Sequence, residues 1–273
     1  MSSLPPPVAP PPPGWYPDPA GGPDLYWWDG IRWSGDVAES PPPPEVKFPV
    51  AAGAVAVLAT LVVGVITRPV SRALVDGVPI LFVLAFSVAA VYGPMVAACV
   101  AVARKYGPRR LRDAFGLRLR PVDVGWGAIT LLAAWAVEIS VVLACQALDI
   151  PVGSNTEGIG DTTDDRLLYL TLAAVAVILA PLVEELFFRG LVQRSLRSRL
   201  APVWAVIGQG LVFGGFHADP GYGAGNIGLV LALSAVGAVF GAAAQLVRRL
   251  GPGMVAHGCF NAVVFVVLLV AES

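Results

Sequence analysis

The sequence Pro181-Leu182-Val183-Glu184-Glu185-Leu186-Phe187-Phe188-Arg189-Gly190 closes an apolar run that begins at Leu167. The run is typical of a membrane-spanning helix, yet it carries two adjacent carboxylates and an arginine. Charges inside hydrocarbon are costly, so these residues indicate a functional site. On a helix, Glu185 and Arg189 share a face, whereas Glu184 points about 100° away from Glu185. The spacing predicts that Arg189 pairs with Glu185 and leaves Glu184 free for chemistry. An alternative interpretation is that these three charged residues only hold neighbouring helices together and carry out no chemistry.

Charged residues make up 14% of the 273 residues, and hydrophobic residues make up 56%. Soluble domains contain roughly 25% charged residues. The composition therefore predicts an integral membrane protein whose surroundings are the lipid bilayer. The net charge of −1 gives no reason to expect a nucleic-acid partner.

Seven apolar runs follow the first 47 residues, and most reach the roughly 20 residues that a helix needs to cross the hydrocarbon core. They lie near residues 48–66, 78–103, 124–148, 167–189, 202–217, 227–247 and 252–271. The pattern predicts an all-α, multi-pass transmembrane bundle of about seven spans, with a first group of helices in 48–148 and a second group in 167–271.

The basic residues are divided unequally between the connections of this bundle. If the N-terminus is cytoplasmic, fifteen of the 18 Lys and Arg residues lie on the cytoplasmic side, and Arg68, Arg72 and Arg166 lie outside. The outer segment 149–165 is acidic and includes Glu157. The positive-inside rule thus predicts a cell-membrane protein with a cytoplasmic N-terminus and an outer C-terminus.

The first 47 residues have a different composition. Prolines dominate residues 1–13 and 37–47, which we expect to be a disordered segment and a linker with polyproline II character. Between them, residues 14–36 contain Gly14-Trp15-Tyr16-Pro17-Asp18-Pro19 and Tyr26-Trp27-Trp28-Asp29-Gly30-Ile31-Arg32-Trp33. The Asp-Gly pair predicts a hairpin turn. This mini-domain resembles a short Trp-rich domain of unknown function with the pattern GWYPDP…WWDG.RW. An aromatic hairpin at the membrane surface and a peptide-binding module both fit it.

Both histidines of the chain lie within or at the end of apolar runs. His257 and Asn261 are one helical turn apart, so their side chains face the same direction. Phe213 precedes His217 by the same spacing and is expected to shield its imidazole. At about 1.5 Å per residue, hairpin geometry places Glu184, His217 and His257 at one level, roughly 10 Å below the cytoplasmic surface.

Three motifs, Glu184-Glu185-x-x-x-Arg189, Phe213-x-x-x-His217 and His257-x-x-x-Asn261, follow one another on three apolar runs. Together they resemble the motif set of the CAAX prenyl endopeptidase/Abi family of intramembrane proteases. The resemblance implies a helical protease core in residues 167–271 and a membrane-associated protein or peptide as substrate. It implies that Glu184 activates water, that His217 and His257 complete the site and that Asn261 holds the oxyanion. Glu185, Arg189 and Phe213 are expected to support these groups.

Other chemistry remains open at this point. Two His and a Glu could bind a divalent ion such as Zn²⁺, in which case His217 and His257 would be ligands and the enzyme a metalloprotease. The sequence does not require the metal, and the His-Glu-x-x-His signature of soluble zinc proteases is absent. A non-proteolytic membrane scaffold or bacteriocin-immunity-type protein, and a proton-coupled transporter, are the alternative functions.

Residues 218–226 are rich in Gly and contain Pro220, so they interrupt the helix that ends near His217. Irregular backbone at membrane depth needs protein or a water-filled cavity around it. The sequence predicts that this segment is buried beside a wet cavity and that the active site opens toward the cytoplasm.

Overall fold

The computed structural model describes residues 11–19, 24–38, 46–156 and 159–271. The chain divides into two compact units, Met1–Pro44 and Glu45–Ser273. The prolines in 5–10 and 41–44 and the acidic residue Glu157 lie outside the described residues.

The first unit contains an antiparallel sheet of three strands, β1 (Gly14–Pro17), β2 (Leu25–Trp28) and β3 (Trp33–Ala38), in the order β1-β2-β3. The predicted turn joins β2 to β3. Oδ1 of Asp29 accepts hydrogen bonds from the backbone N–H groups of Ile31 at 2.7 Å and Arg32 at 2.8 Å. Gly30 has a φ of 100°, a conformation that favours glycine. The N–H groups of Arg32 and Ile31 hold the pKa of Asp29 below its usual value.

The second unit is a helical bundle. Its helices in the described residues are α1 (Val50–Leu74), α2 (Ile80–Tyr106), α3 (Leu111–Phe115), α4 (Val122–Ala147), α5 (Arg166–Leu196), α6 (Pro202–Phe216), α7 (Gly225–Val247) and α8 (Gly251–Ala271). Six of them are long and apolar enough to cross a membrane, and α6 is a shorter apolar helix. The predicted fold class, a multi-pass helical bundle with a small Trp-rich segment before it, is confirmed.

Helix α5 changes its hydrogen-bond pattern along its length. It begins at an N-cap where Asp165 accepts from the N–H of Leu168 at 3.0 Å. Two stretches, Val175–Leu179 and Glu185–Gln193, are π-helical. Pro181 lies between them and has no N–H to donate to an earlier carbonyl. Carbonyls one turn before Pro181 are therefore available to groups outside the helix, and the candidate site uses one of them.

The half of α5 that follows Glu184 is packed on all sides. Every residue from Val183 to Ser195 is buried. The rings of Phe188 and Phe213 pack edge to face with centroids 5.2 Å apart, which joins α5 to α6. Arg249, in the turn between α7 and α8, donates a hydrogen bond to the buried Asp123 of α4 at 2.7 Å. These contacts fix the helices that carry the candidate site.

The connection between α6 and α7 differs from the prediction. As expected, it is irregular apart from a short 3₁₀ turn, Pro220–Tyr222. However, Ala218, Gly221 and several other residues of the connection are not covered by other parts of the protein. The expectation of a buried segment is therefore wrong. The polar groups of the connection find partners within it and on α1, because Asp219 forms an ion pair with Arg68 and exchanges hydrogen bonds with Asn226.

Candidate active site

Glu184 lies at the boundary between the middle α-helical stretch of α5 and its second π-helical stretch. Its side chain is buried and its two oxygens have different surroundings. Oε1 accepts a hydrogen bond from the hydroxyl of Tyr92, on α2, at 3.1 Å. Oε2 has no hydrogen-bond partner within the described part of the chain. Glu184 is thus held through one oxygen while the other remains available.

His257, on α8, lies between the two carboxylates. Its Nε2 is 3.8 Å from Oε2 of Glu184, and its Nδ1 is 3.4 Å from Oε1 of Glu185. The imidazole is buried, and its relative exposure is 5%. An Nδ1 proton directed at Glu185 would leave the Nε2 lone pair facing Glu184.

Glu185 and Arg189 form a fully buried ion pair, with Nη1 of Arg189 2.9 Å from Oε1 of Glu185. The arginine also donates from Nη2 to the backbone carbonyl of Gly237 at 3.1 Å. Its guanidinium carbon lies 4.5 Å from the ring centre of Phe213 and 5.2 Å from that of Phe240. Such packing suits the flat, weakly hydrated guanidinium group. The i, i+4 spacing read from the sequence matches this contact.

His217 stands at the C-terminal end of α6. Its Nδ1 is 2.8 Å from the carbonyl oxygen of Phe213, and the two rings are 4.7 Å apart. Because a carbonyl oxygen can only accept, Nδ1 carries the proton in this contact. In the neutral imidazole, Nε2 is then an acceptor. Phe213 therefore both packs on His217 and orients it.

Asn261 lies one turn after His257 on α8. It donates from Nδ2 to the carbonyl of Ala176 at 2.7 Å. In a π-helical pattern the Ala176 carbonyl would accept a hydrogen bond from the N–H of residue 181. Because Pro181 has no N–H, this carbonyl is left free to accept from Asn261. The close approach of α8 to α5 needs Gly258, since a Cβ there would be 2.9 Å from the carbonyl oxygen of Val177.

A cavity of about 450 Å³ joins these groups. Five of the residues singled out in the sequence line it: Glu184, Phe213, His217, His257 and Asn261. Glu185 and Arg189 are absent from its described lining and lie behind His257 and Glu184. The structure thus separates groups that face the cavity from groups that hold them.

Two lining residues were not found from the sequence. Tyr92 lies on α2, which has no charged residue close to this tyrosine. Tyr92 and Glu184 are on different helices, so no sequence spacing relates them. Glu138, on α4, is a carboxylate within an apolar run and lines the same cavity. The cost of a charge in hydrocarbon was a signal that could have identified Glu138.

The cavity extends from Glu184 toward the connection between α4 and α5. Residues 152–156 and Ile159 of this connection line one end. The described lining residues of α5 run from Leu172 to Glu184, and none follows Glu184. The cavity therefore lies on the side of Glu184 that is away from the packed half of α5.

Two segments of the chain match known families. Residues 166–263 match the family model described as Type II CAAX prenyl endopeptidase Rce1-like. We refer to residues 166–263 as the Rce1-like segment. Residues 13–46 match a family of proteins of unknown function, DUF2510. No curated protein and no solved structure matches the chain significantly. The two family matches confirm both resemblances that the sequence motifs indicated.

The Rce1-like segment contains Glu184, His217, His257 and Asn261, whereas Tyr92 and Glu138 come from helices that precede it. Among the residues that the structure describes, no group of three or more His, Cys, Asp and Glu side chains is placed to hold a metal ion. The arrangement does not fit the conditional zinc site, and we derive no step through a metal.

Proposed function

We propose that this protein is an intramembrane endopeptidase that hydrolyses a peptide bond in a membrane-associated protein or peptide. The observation that carries the proposal is the pair formed by Oε2 of Glu184 and Nε2 of His257. These atoms are 3.8 Å apart, and both residues line a cavity large enough to admit part of a peptide. The match of residues 166–263 to an endopeptidase family supports the same reaction.

A water molecule on the cavity side of these two atoms would bridge them, because a polar pair separated by more than 3.5 Å is commonly bridged by water. It would donate one hydrogen to Glu184 and the other to the lone pair of His257. Its oxygen lone pair would then point away from both groups, toward a carbonyl carbon in the cavity. Glu184 takes one proton as the water oxygen bonds to that carbon, which is general-base catalysis.

The carbonyl oxygen of the substrate becomes an oxyanion in this step and needs a hydrogen-bond donor. Asn261 is the group we assign to it. One N–H of its amide is directed at Ala176, which fixes the amide plane, and the second N–H remains for the oxyanion. The proton on Glu184 then passes to the departing nitrogen as the C–N bond breaks. An acid and an amine are released and the Glu184 carboxylate is restored.

The other residues position these groups. Tyr92 keeps Oε1 of Glu184 engaged. The carboxylate of Glu185 faces Nδ1 of His257 at 3.4 Å, which favours a proton on Nδ1 and leaves Nε2 toward the water. Arg189 holds the Glu185 carboxylate in place within the packed bundle, with Nη1 2.9 Å from Oε1. His217, held through Nδ1 by Phe213, presents Nε2 to the cavity, where it can accept from a substrate N–H group.

The residues that line the cavity, together with the membrane orientation predicted from the basic residues, indicate the side from which substrate enters. The positive-inside rule places the α4–α5 connection outside, and residues 152–156 of that connection line the cavity. We therefore propose that the cavity faces the outer side while the N-terminus is cytoplasmic. This replaces the expectation of a cytoplasmic opening, since the half of α5 nearest the basic connection 197–201 is packed.

Replacement of Glu184 by Gln tests the mechanism, because the amide is nearly isosteric but cannot take the proton. We expect the variant to lose cleavage by roughly 10²-fold or more. Mapping of new peptide termini in the membrane proteome of cells would identify substrates that the wild type cleaves. The purified variant would then be assayed on those peptides in lipid bilayers.

Asp76→Asn is the matched control, because it makes the same carboxylate-to-amide change at an exposed site in the α1–α2 connection. It should cleave like the wild type. Cleavage by Glu184→Gln at the wild-type rate would exclude Glu184 as the base. The absence of any terminus that depends on the wild-type protein would favour the scaffold or immunity alternative.

A further inference from the structure

The three-stranded sheet of the first unit has two aromatic faces. Alternate residues of a strand point to opposite faces, so Trp15 and Trp27, which pair across β1 and β2, share one of them. Tyr16, Trp28 and Trp33 share the other, which we name the Tyr16 face. The ring of Trp33 is 5.2 Å from that of Trp28 and 6.3 Å from that of Tyr16. The Tyr16 face is therefore a continuous aromatic surface.

The Tyr16 face contacts the proline tract that precedes it. Nε1 of Trp28 donates a hydrogen bond to the carbonyl oxygen of Pro11 at 3.0 Å. The hydroxyl of Tyr16 donates to the carbonyl of the next residue, Pro12, at 2.8 Å. The ring of Pro13 lies beside the β2–β3 turn, where a Cβ on Gly30 would be 3.3 Å from its Cγ. Two consecutive proline carbonyls are thus bound by two aromatic side chains.

This pattern has a specific chemical meaning. A proline segment has no N–H groups and cannot extend a β-sheet, whereas its polyproline II backbone leaves the carbonyls free to accept hydrogen bonds. Aromatic grooves with donors at their rims recognise such segments. We infer that the Tyr16 face is a binding site for polyproline II peptides and that the chain's own residues Pro11–Pro13 occupy it. The inference does not rest on the proposed protease activity.

Covalent attachment gives the resident segment an advantage over any free peptide. The tract is joined directly to β1, and a short connection corresponds to an effective concentration on the order of millimolar. A proline-rich peptide added in solution must compete with it. Removal of the tract should therefore raise the apparent affinity of the site for that peptide.

A labelled peptide with the sequence of residues 4–13 tests the inference by fluorescence anisotropy. The protein is the whole chain in detergent micelles, compared with a variant that lacks residues 2–13. We expect the peptide to bind the shortened variant at least tenfold more tightly than the full chain. A peptide with alanine at every proline position should not bind either protein.

Two substitutions in the shortened variant identify the face. Trp28→Phe removes the indole donor and should weaken peptide binding about fivefold or more. Trp27→Phe makes the same change on the opposite face and should leave binding unchanged. Equal effects of the two substitutions, or no binding to a shortened variant whose sheet is intact, would overturn the inference.

A second measurement decides the matter if the shortened variant loses its sheet. The full chain is labelled with 5-fluorotryptophan, and its ¹⁹F resonances are assigned with Trp28→Phe and Trp27→Phe. Substitution of Pro11 and Pro12 by alanine should shift the resonance of Trp28 and leave that of Trp27 in place. Alanine keeps the backbone carbonyl, so an unchanged Trp28 resonance would show that the site does not recognise proline, and it would overturn the inference.

Discussion

The hydroxyl of Tyr92 donates a hydrogen bond of 3.1 Å to Oε1 of Glu184, although the two residues are 92 positions apart in the sequence. The contact joins α2 to the Rce1-like segment. Because Oε1 is engaged, the carboxylate cannot rotate freely, and Oε2 is the oxygen that faces His257. A helix outside the segment that matches the family model thus helps to orient the proposed base.

Tyr92→Phe should therefore lower kcat for peptide cleavage with little change in KM. A hydrogen bond to a charged group contributes about 1.5–3 kcal/mol, which corresponds to a loss of roughly tenfold or more. The matched control is Tyr106→Phe, since Tyr106 lies on the same helix and is exposed. A kcat of Tyr92→Phe equal to that of the control would show that Tyr92 does not orient the base.

The buried pair of Glu185 and Arg189 gives a prediction about stability. Arg189→Met leaves Glu185 without its partner in a site with no exposure, so we expect the free energy of unfolding to fall by about 3–5 kcal/mol. The double variant Glu185→Leu/Arg189→Leu should recover much of that loss, because Gln209 still donates to the Gly237 carbonyl at 2.7 Å. Thermal unfolding in detergent would measure both.

Activity should not return with stability in that double variant, because His257 has lost the carboxylate that faces its Nδ1. A double variant that cleaves like the wild type would remove Glu185 from the proposed mechanism. If the loss of stability in the double variant equals the sum of the losses in Glu185→Leu and Arg189→Leu made singly, the pair is not coupled.

Gly253, in the first turn of α8, lies against the carboxylate of Glu185. A Cβ at this position would be 3.0 Å from Cδ of Glu185, and the carboxylate cannot move far because Arg189 holds it. Gly253→Ala should displace Glu185 and lower cleavage at least tenfold. The control Gly64→Ala is also within a helix but has nothing within 4 Å, so it should leave cleavage and stability nearly unchanged. Equal cleavage by the two variants would contradict the argument.

Much of the fold followed from hydrophobic run length, because a helix that crosses hydrocarbon must satisfy its own backbone groups. Local spacing also predicted the contact of Glu185 with Arg189 and the shared direction of His257 and Asn261. These relationships lie within one helix, so the helical period alone determines them. The cost of buried charge marked Glu184 before any neighbour was known.

The remaining features depend on how helices pack, and local spacing does not encode that. Tyr92 meets Glu184 only because α2 lies against α5. Asn261 finds the Ala176 carbonyl because Pro181 leaves it free and Gly258 lets α8 approach. The connection after His217 was expected to be buried, yet Asp219 pairs with Arg68 of α1, a tertiary contact that lets the backbone stay exposed.

Asp29 predicts a pH dependence in the first unit. Its pKa is lowered by backbone N–H donors, so its stabilisation of the β2–β3 turn is complete above the ordinary Asp value of about 3.9. It is lost as pH falls through the lower folded value. The ¹⁹F resonances of Trp27 and Trp28 should therefore lose dispersion in acid. Asp29→Asn keeps an acceptor oxygen without titrating, so the acid transition should weaken. An identical transition in this variant would assign it to another group.

The proposed orientation of the bundle predicts which connections can be labelled from each side of the membrane. Arg109 follows α2 and Asn155 lies in the α4–α5 connection, and both are exposed. Arg109→Cys and Asn155→Cys would be made separately in a Cys259→Ala background, since Cys259 is exposed while Cys99 and Cys145 are buried. In intact cells a membrane-impermeant maleimide should label position 155 and spare position 109, whereas permeabilised cells should label both. The reverse pattern would place the N-terminus outside and turn the cavity toward the cytoplasm, because residues 152–156 line it in either orientation.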